Sequence, residues 1–367
     1  MRILHLANHC DEVGNGIMNV AVDLACKQAE RGHATAFASG GGAYVDLLRR
    51  HGVEHIAIVQ EWRRPQTLPA TLLGLRRLIR RFRPDIVHAH MMTGAVLARA
   101  LRRRRGFRLV TTVHNEWQRS ANLMGVGDRV IAVSDAVRRR MQARGVAVRK
   151  LRVVRNATLG SPRRPSTAAA HPVRLQHPAV VTLAGMYERK GIRDLISAFA
   201  LLADRYPEAQ LYLLGDGPDR AAFESLAAAL PCRTRVHFLG FVREPRPYLA
   251  ETDIFVLASH NDPSPLVIPE AREAGCAIVA TAVGGIPEAL DGGEAGILVP
   301  ASNPAELAAA VDRLLAEPAE RERWRQRAQS RLEWLRLDRA VDETLTIYNE
   351  LLTSRCEAPL PAPLPSP

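Results

Sequence analysis

The sequence predicts an α/β protein built as two doubly wound domains facing a central cleft. Three observations lead there. Short apolar runs alternate with amphipathic helical stretches over the first third of the chain; the alternation stops between Ala157 and Pro178, where Ser, Pro, Arg and Ala carry no apolar period, and then restarts. At 367 residues and 47% apolar content, the chain is long enough for two domains, each with its own core.

Taken in order, residues 3–7 read as a buried strand and Gly14-Asn15-Gly16 as a turn. Ile17, Val20, Ala21, Leu24 and Ala25 form the apolar stripe of a helix that Gly32 closes. A second strand spans 33–39. A helix around 72–82, a strand at 86–90, a helix around 94–101, strands at 109–113 and 129–133, and a helix from Ser134 continue the pattern. Strand-helix-strand repetition requires a parallel sheet covered on both faces. The first domain is thus expected over 1–158 and a linker over 159–178. The second domain, 179–333, carries strands at 180–184, 210–214, 236–239, 254–258 and 277–280, with helices at 192–203 and 220–229. Helices run from Pro304 to about Leu352, of which 334–352 is expected to return to the first domain. The proline-rich tail, 356–367, is expected to be disordered.

No run approaches the roughly 20 apolar residues that span a bilayer, and the start of the chain leads straight into a strand, so a cytoplasmic protein is expected. The cysteines, Cys10, Cys26, Cys232, Cys276 and Cys356, are scattered and lack C-x-x-C spacing, which argues against a disulfide framework or a zinc site. The net charge of +12 rests almost wholly on arginine, since Lys27, Lys150 and Lys190 are the only lysines. Such a balance implies an anionic partner. The arginines show no nucleic-acid reading motif or aromatic interleaving, so no nucleic acid is expected.

The segment Asp262-Pro263-Ser264-Pro265-Leu266-Val267-Ile268-Pro269-Glu270-Ala271 sets two carboxylates on a loop that opens a helix. Glu270 falls in the first helical turn, where the helix dipole favours an anion, and Pro269 tolerates the missing N–H there. A carboxylate so placed can accept both hydroxyls of a sugar or ribose diol, and helix-start amides suit phosphate. Diol plus phosphate describes a sugar nucleotide; an ordinary acidic helix cap is the plainer alternative.

This segment resembles the paired-acid signature of GT4 retaining glycosyltransferases, which share the GT-B fold of two Rossmann-like domains. The resemblance gives Asp262, in place of the usual Glu, the donor sugar's hydroxyls and Glu270 the ribose, with Leu266 and Val267 beside the donor. Gly185-Met186-Tyr187-Glu188-Arg189-Lys190-Gly191 is similar to the family's basic segment, in which an Arg and a Lys neutralise the donor diphosphate. Lys190 occupies the lysine position. Gly185 stands where the arginine is usual, so that half is missing unless Arg189 or another arginine substitutes. The physical need is for fixed cations where charge builds on the leaving diphosphate.

Gly215-Asp216-Gly217-Pro218 resembles the family's loop beside the donor, and Phe238 to Val242 the segment whose backbone, near Val242, meets the base. Gly14-Asn15-Gly16-Ile17 corresponds to the glycine pair after the first strand, with Asn15 replacing one glycine and Gly16 keeping the other. Asn is the residue next most able to adopt a left-handed turn. His114, ending its strand at the cleft mouth, matches a family histidine near donor phosphate and acceptor; a loop histidine is the plainer alternative. His88 and His90 share a face of their strand, and with no adjoining carboxylate or cysteine a structural or acceptor-side role is preferred to metal binding.

The resemblance covers most of 1–352 and implies transfer of a sugar from a UDP- or GDP-sugar to a glycan or lipid-linked acceptor, with no metal and no cofactor. Arginines 76, 77, 80 and 81, with 102–105 and 138–140, are expected to dock the protein peripherally on an anionic membrane surface. Rival readings are an epimerase or phosphorylase on the same architecture and a non-catalytic nucleotide- or nucleic-acid-binding relative.

Overall fold

A computed structural model describes residues 1–12, 16–60, 68–102, 106–164 and 172–356. Asn15, part of the 102–105 cluster and the tail from 357 lie outside the described residues.

The first half lays down β1 (Arg2–Leu6), α1 (Gly16–Glu30), β2 (Ala34–Ser39), α2 (Val45–Arg50), β3 (Glu54–Ala57), α3 (Leu68–Phe82), β4 (Ile86–Ala89), α4 (Met92–Leu101), β5 (Arg108–Val113), β6 (Arg129–Ala132), α5 (Asp135–Ala143) and β7 (Leu151–Val153). Its strands form one parallel sheet in the order β3-β2-β1-β4-β5-β6-β7. The second half comprises β8 (Ala179–Leu183), α6 (Ile192–Leu202), β9 (Gln210–Leu214), α7 (Arg220–Ala228), β10 (Val236–Gly240), α8 (Arg246–Ala250), β11 (Ile254–Leu257), α9 (Val267–Glu273), β12 (Ala277–Thr281), α10 (Ile286–Ala289) and β13 (Ile297–Val299). These strands form a second parallel sheet, β10-β9-β8-β11-β12-β13.

Each order reverses direction once, between β1 and β4 in the first sheet and between β8 and β11 in the second. In doubly wound sheets, ligands bind outside the carboxyl ends of the strands at such reversals. The loops leaving β4, β8 and β11 carry His90, Lys190 and Asp262, and His114 directly follows β5.

Helices cover both faces of the first sheet. On one, Leu75, Leu78 and Phe82 of α3 join Ala95 and Ala98 of α4 and Val137 and Met141 of α5 in a single buried cluster. On the other lies the last of the described helices. After α11 (Pro304–Ala316) and α12 (Pro318–Ala328) on the second domain, a 3₁₀ turn leads into α13 (Leu337–Cys356), which returns to the first sheet. There Ile347, Tyr348 and Leu351 pack against Ile3, Ile86, Val110 and Ile131. Among the described residues, no helix is long and apolar enough to cross a membrane.

Candidate active site

Lys190 and Asp262 meet at the second sheet's reversal, although 72 positions separate them. Lys190 Nζ donates to Asp262 Oδ2 at 2.6 Å, and both side chains are largely shielded, at 18% and 6% exposure. Two glycines make the meeting possible. Gly191, at φ +65°, passes so near Ala258 that a Cβ would fall 1.9 Å from its carbonyl oxygen; Gly284, at φ +56°, backs onto Asp262 with the same 1.9 Å clash. Any side chain at either position would push a loop away from the pair.

Glu270 lies in the first turn of α9, as its sequence position predicts. Its carboxylate accepts no hydrogen bond among the described residues, and burial raises its pKa from 4.5 to about 7. Arg163 and Arg164 oppose that rise, while Asp23 and Glu273 add to it. The arginines have other partners: Arg163 grips Asp23 of α1 in two bonds, Nε to Oδ1 at 2.8 Å and Nη2 to Oδ2 at 3.0 Å, and Arg164 pairs with Glu273. Glu270 is thus a poorly solvated carboxylate near positive charge, with its hydrogen-bonding capacity unspent. Such a group gains from a ligand that donates two hydroxyls.

Gly16, the first residue of α1, faces the second domain directly. A Cβ built on it would lie 3.5 Å from Cδ1 of Leu266, just before α9. Val267 begins α9 and packs into the second domain's core. His114 follows β5, with Nε2 3.2 Å from His90 Nδ1, and burial lowers its pKa to about 3, so it is neutral.

Four further predicted site residues, Arg189, Gly215, Asp216 and Val242, lie in the second domain. Arg189 lies with its guanidinium 4.8 Å from the ring centres of both Trp117 and Tyr187, an interdomain stack, while its carbonyl accepts from His260 N at 2.9 Å. Its charge is therefore engaged by aromatic faces. Gly215 N donates to Gly240 O at 2.7 Å, and exposed Asp216 accepts from Gly217 N at 2.7 Å. Val242 packs with Tyr212 and Tyr248 beside Arg243, which reaches Glu12 of the first domain at 3.1 Å.

Several contributors are missed by sequence reasoning. Glu116 is buried two residues after His114; among the described residues its Oε2 has no hydrogen-bond partner, Arg140 lies 3.8 Å from its Oε1, and burial raises its pKa. Glu288 caps α5 from the opposite domain, accepting from Asp135 N at 2.9 Å and Ala136 N at 3.1 Å. Asp23 and Arg163 are equally silent in sequence, because their roles depend on which segments fold together. The Gly284-Gly285 pair was the one readable signal, a tight backbone turn after a strand.

The histidines reach beyond the pair read from β4. His5, His88 and His90 are all buried, with ligand-capable nitrogens within 4.8 Å of one another.

Two family models match the chain, one described as Glycosyltransferase Family 4 over residues 14–158 and one as Glycosyl transferases group 1 over 177–317. A lipopolysaccharide core biosynthesis glycosyltransferase of Rhizobium meliloti, LpsE, is 34% identical over 188 residues, covering 50% of this chain and 53% of that protein. The chain thus spans about half the length of this relative. LpsD of the same organism is 26% identical over 316 residues, covering 78% of this chain and 88% of LpsD. Among solved structures, Anabaena HepE in complex with UDP superposes with a TM-score of 0.76 at 22% identity, covering 96% of this chain and all of HepE; HepE has also been solved with UDP-glucose.

Proposed function

This chain belongs to the GT4-type glycosyltransferases of GT-B fold, and on that premise we propose that it transfers a sugar, with retention of configuration, from a UDP- or GDP-sugar to a glycan or lipid-linked acceptor in cell-surface polysaccharide or glycolipid synthesis. The carrying observation is at the second sheet's reversal: a shielded Lys190–Asp262 pair, then on the helix that follows Asp262 the Glu270 carboxylate, which accepts no hydrogen bond among the described residues, with Gly16 of the first domain against Leu266 between the two acids in sequence. The UDP and UDP-glucose complexes of HepE and the lipopolysaccharide roles named for LpsE and LpsD support this choice of donor and acceptor.

In this mechanism Glu270 takes the ribose diol and Asp262 the hydroxyls of the transferred sugar. Lys190 sits where the diphosphate gathers charge as its bond to the anomeric carbon breaks, and a fixed cation there lowers the barrier without a metal. The acceptor oxygen bonds to the anomeric carbon on the face the phosphate leaves, and its proton passes to the departing phosphate oxygen. Arg189 and Asp216 line the donor's approach, and the backbone near Val242 meets the base. A thermal-shift screen of nucleotides tests the donor: at 100 times Kd, a ligand adds about 2.7 kcal/mol of stability. Stabilisation by neither UDP nor GDP would remove the proposal. Transfer that survives EDTA supports the metal-free step; metal-reversible loss overturns it.

Peripheral membrane docking is the second part of the reading. Arg76, Arg77, Arg80 and Arg81 are all exposed on α3, and α3 and α5 cover the same sheet face, which puts the 76–81 and 138–140 arginines on one side. Each basic group near acidic lipid adds about 1 kcal/mol. Co-sedimentation should require anionic vesicles and fade with salt; equal recovery with neutral vesicles contradicts it.

A further inference from the structure

Three histidines, His5 in β1, His90 just after β4 and His114 just after β5, form one hydrogen-bonded column towards the cleft, with His88 on a side branch. His5 Nε2 lies 2.8 Å from Gln28 Oε1, His5 Nδ1 lies 3.0 Å from His90 Nε2, and His90 Nδ1 lies 3.2 Å from His114 Nε2. A side branch runs from Gln28 Nε2 to the Tyr348 hydroxyl at 3.5 Å, from that hydroxyl to His88 Nδ1 at 2.6 Å, and from His88 Nε2 to Thr112 Oγ1 at 2.6 Å. The rings stack, His88 on His90 with centroids 4.3 Å apart and His5 on His90 at 5.3 Å. Although His5, His88 and His90 are close enough to share a metal, all six of their nitrogens already have partners. Among the described residues, only His114 Nδ1 in the column has none.

A neutral imidazole carries one N–H, so each hydrogen bond fixes the next ring's tautomer. Burial holds all four rings neutral, His5 down to about 4 and His114 to about 3, with His88 and His90 well below the ordinary value. The Gln28 oxygen can only accept, so His5 donates from Nε2 and must accept at Nδ1. His90 then donates from Nε2 and accepts at Nδ1, and His114 donates from Nε2. A turned-over Gln28 amide would reverse every proton in the column. Tyr348 selects against that reversal: its 2.6 Å contact with His88 is short for an N–H donor and ordinary for an O–H, and the phenol is a stronger acid than the Thr112 hydroxyl at the far side of the ring. With its proton given to His88, the Tyr348 oxygen is left to accept from the Gln28 amide.

We propose that Tyr348 and Gln28, acting through His5 and His90, are positioning residues that hold His114 as the Nε2–H tautomer and so present its bare Nδ1 to the cleft as an acceptor for a substrate hydroxyl. The substrate part rests on the sugar-transfer reading above; the tautomer part does not. On this view the returning helix α13 does more than close the first domain's core. Through Gln28, His5 and His90 it sets the polarity of a group at the carboxyl end of β5.

Long-range proton–nitrogen NMR on protein labelled with ¹⁵N-histidine reads each tautomer directly. Wild type is expected to show His5, His90 and His114 all as Nε2–H; an Nδ1–H form at any of the three overturns the proposal. Tyr348→Phe keeps the buried ring but removes the hydroxyl, and Gln28→Met removes the amide; either should leave His114 as a tautomer mixture, whereas Gln28→Glu, which keeps an acceptor oxygen, should hold it single. In folded Tyr348→Phe protein, kcat for transfer should fall about two- to tenfold, the worth of one neutral hydrogen bond, with nucleotide Kd unchanged. An unaltered His114 spectrum in both Tyr348→Phe and Gln28→Met contradicts the relay even if transfer itself is demonstrated. The wild-type spectrum decides the matter should the variants not fold.

Discussion

Glu270 and Arg272 lie two residues apart on the short helix α9, and the fold treats them in opposite ways. Arg272 is fully buried on the helix's inner side. It donates to the carbonyls of Ala328 at 2.9 Å, Ala289 at 2.8 Å and Ser330 at 2.7 Å, meets Asp291 at 3.0 Å, and lies over the Trp334 ring. The Glu270 carboxylate, on the cleft side, accepts no hydrogen bond among the described residues and is held half-titrated near neutrality. A buried charge with every hydrogen bond met is a structural anchor; one left unmet costs stability and is retained for what it binds.

Arg272→Met gives the largest contrast. Four acceptors would lose their partner, and removal of one member of a buried ionic network costs about 3–5 kcal/mol. Urea unfolding should show that loss; a midpoint within error of wild type would erase the distinction between the two sides of α9. Lys190→Ala comes next; it leaves the shielded Asp262 carboxylate unpaired, so some stability is lost as well, but the larger effect is on transfer, which should drop about 10²–10³-fold, as when one transition-state stabiliser is lost. Unchanged turnover would make Lys190 a structural partner of Asp262.

Glu270→Gln should weaken nucleotide binding by about 1.5–3 kcal/mol, the scale of charge-assisted hydrogen bonds, and leave the fold as stable or more so. The sign of its pH effect follows from the raised pKa. With a folded value of about 7 against an ordinary 4.5, the free protein keeps this group's contribution below about pH 4.5 and loses it as pH rises through 7. Melting curves of wild type and Glu270→Gln should therefore differ most near and above pH 7, to the variant's advantage. The smallest effect is expected at Glu116, whose orphaned Oε2 makes Glu116→Gln neutral or slightly stabilising. A clear loss of stability there would show a partner that the fold conceals.

The same contrast separates what could be read in the sequence from what could not. Long alternating segments announced themselves, and β1, β2, α6 and β9 fall within a residue or two of their expected places. The strands Glu54–Ala57, Leu151–Val153 and Ile297–Val299 were not foreseen, because three or four residues are too few to display a period. Asp262 and Glu270 were legible since they sit in one continuous segment, and period two put His88 and His90 on one face. Nothing local links Lys190 to Asp262, Asp23 to Arg163, or Gln28 to Tyr348, which are 72, 140 and 320 positions apart. Those contacts follow from strand order and from the return of α13. Arg272, too, looked like any helix-end arginine until the chain beyond residue 328 closed over it.

Nucleoside diphosphate binding to wild type and Glu270→Gln, measured by calorimetry from pH 6 to 8, bears most directly on the reading of this site. Both proteins share the ligand's own titration, so the difference between them belongs to Glu270. A diol needs the ionised carboxylate as its acceptor. Wild-type affinity should therefore gain on the variant's as pH rises through about 7, with protons released from the protein on binding. Parallel pH profiles and equal affinities for the two proteins would contradict the assignment of Glu270 to the nucleotide.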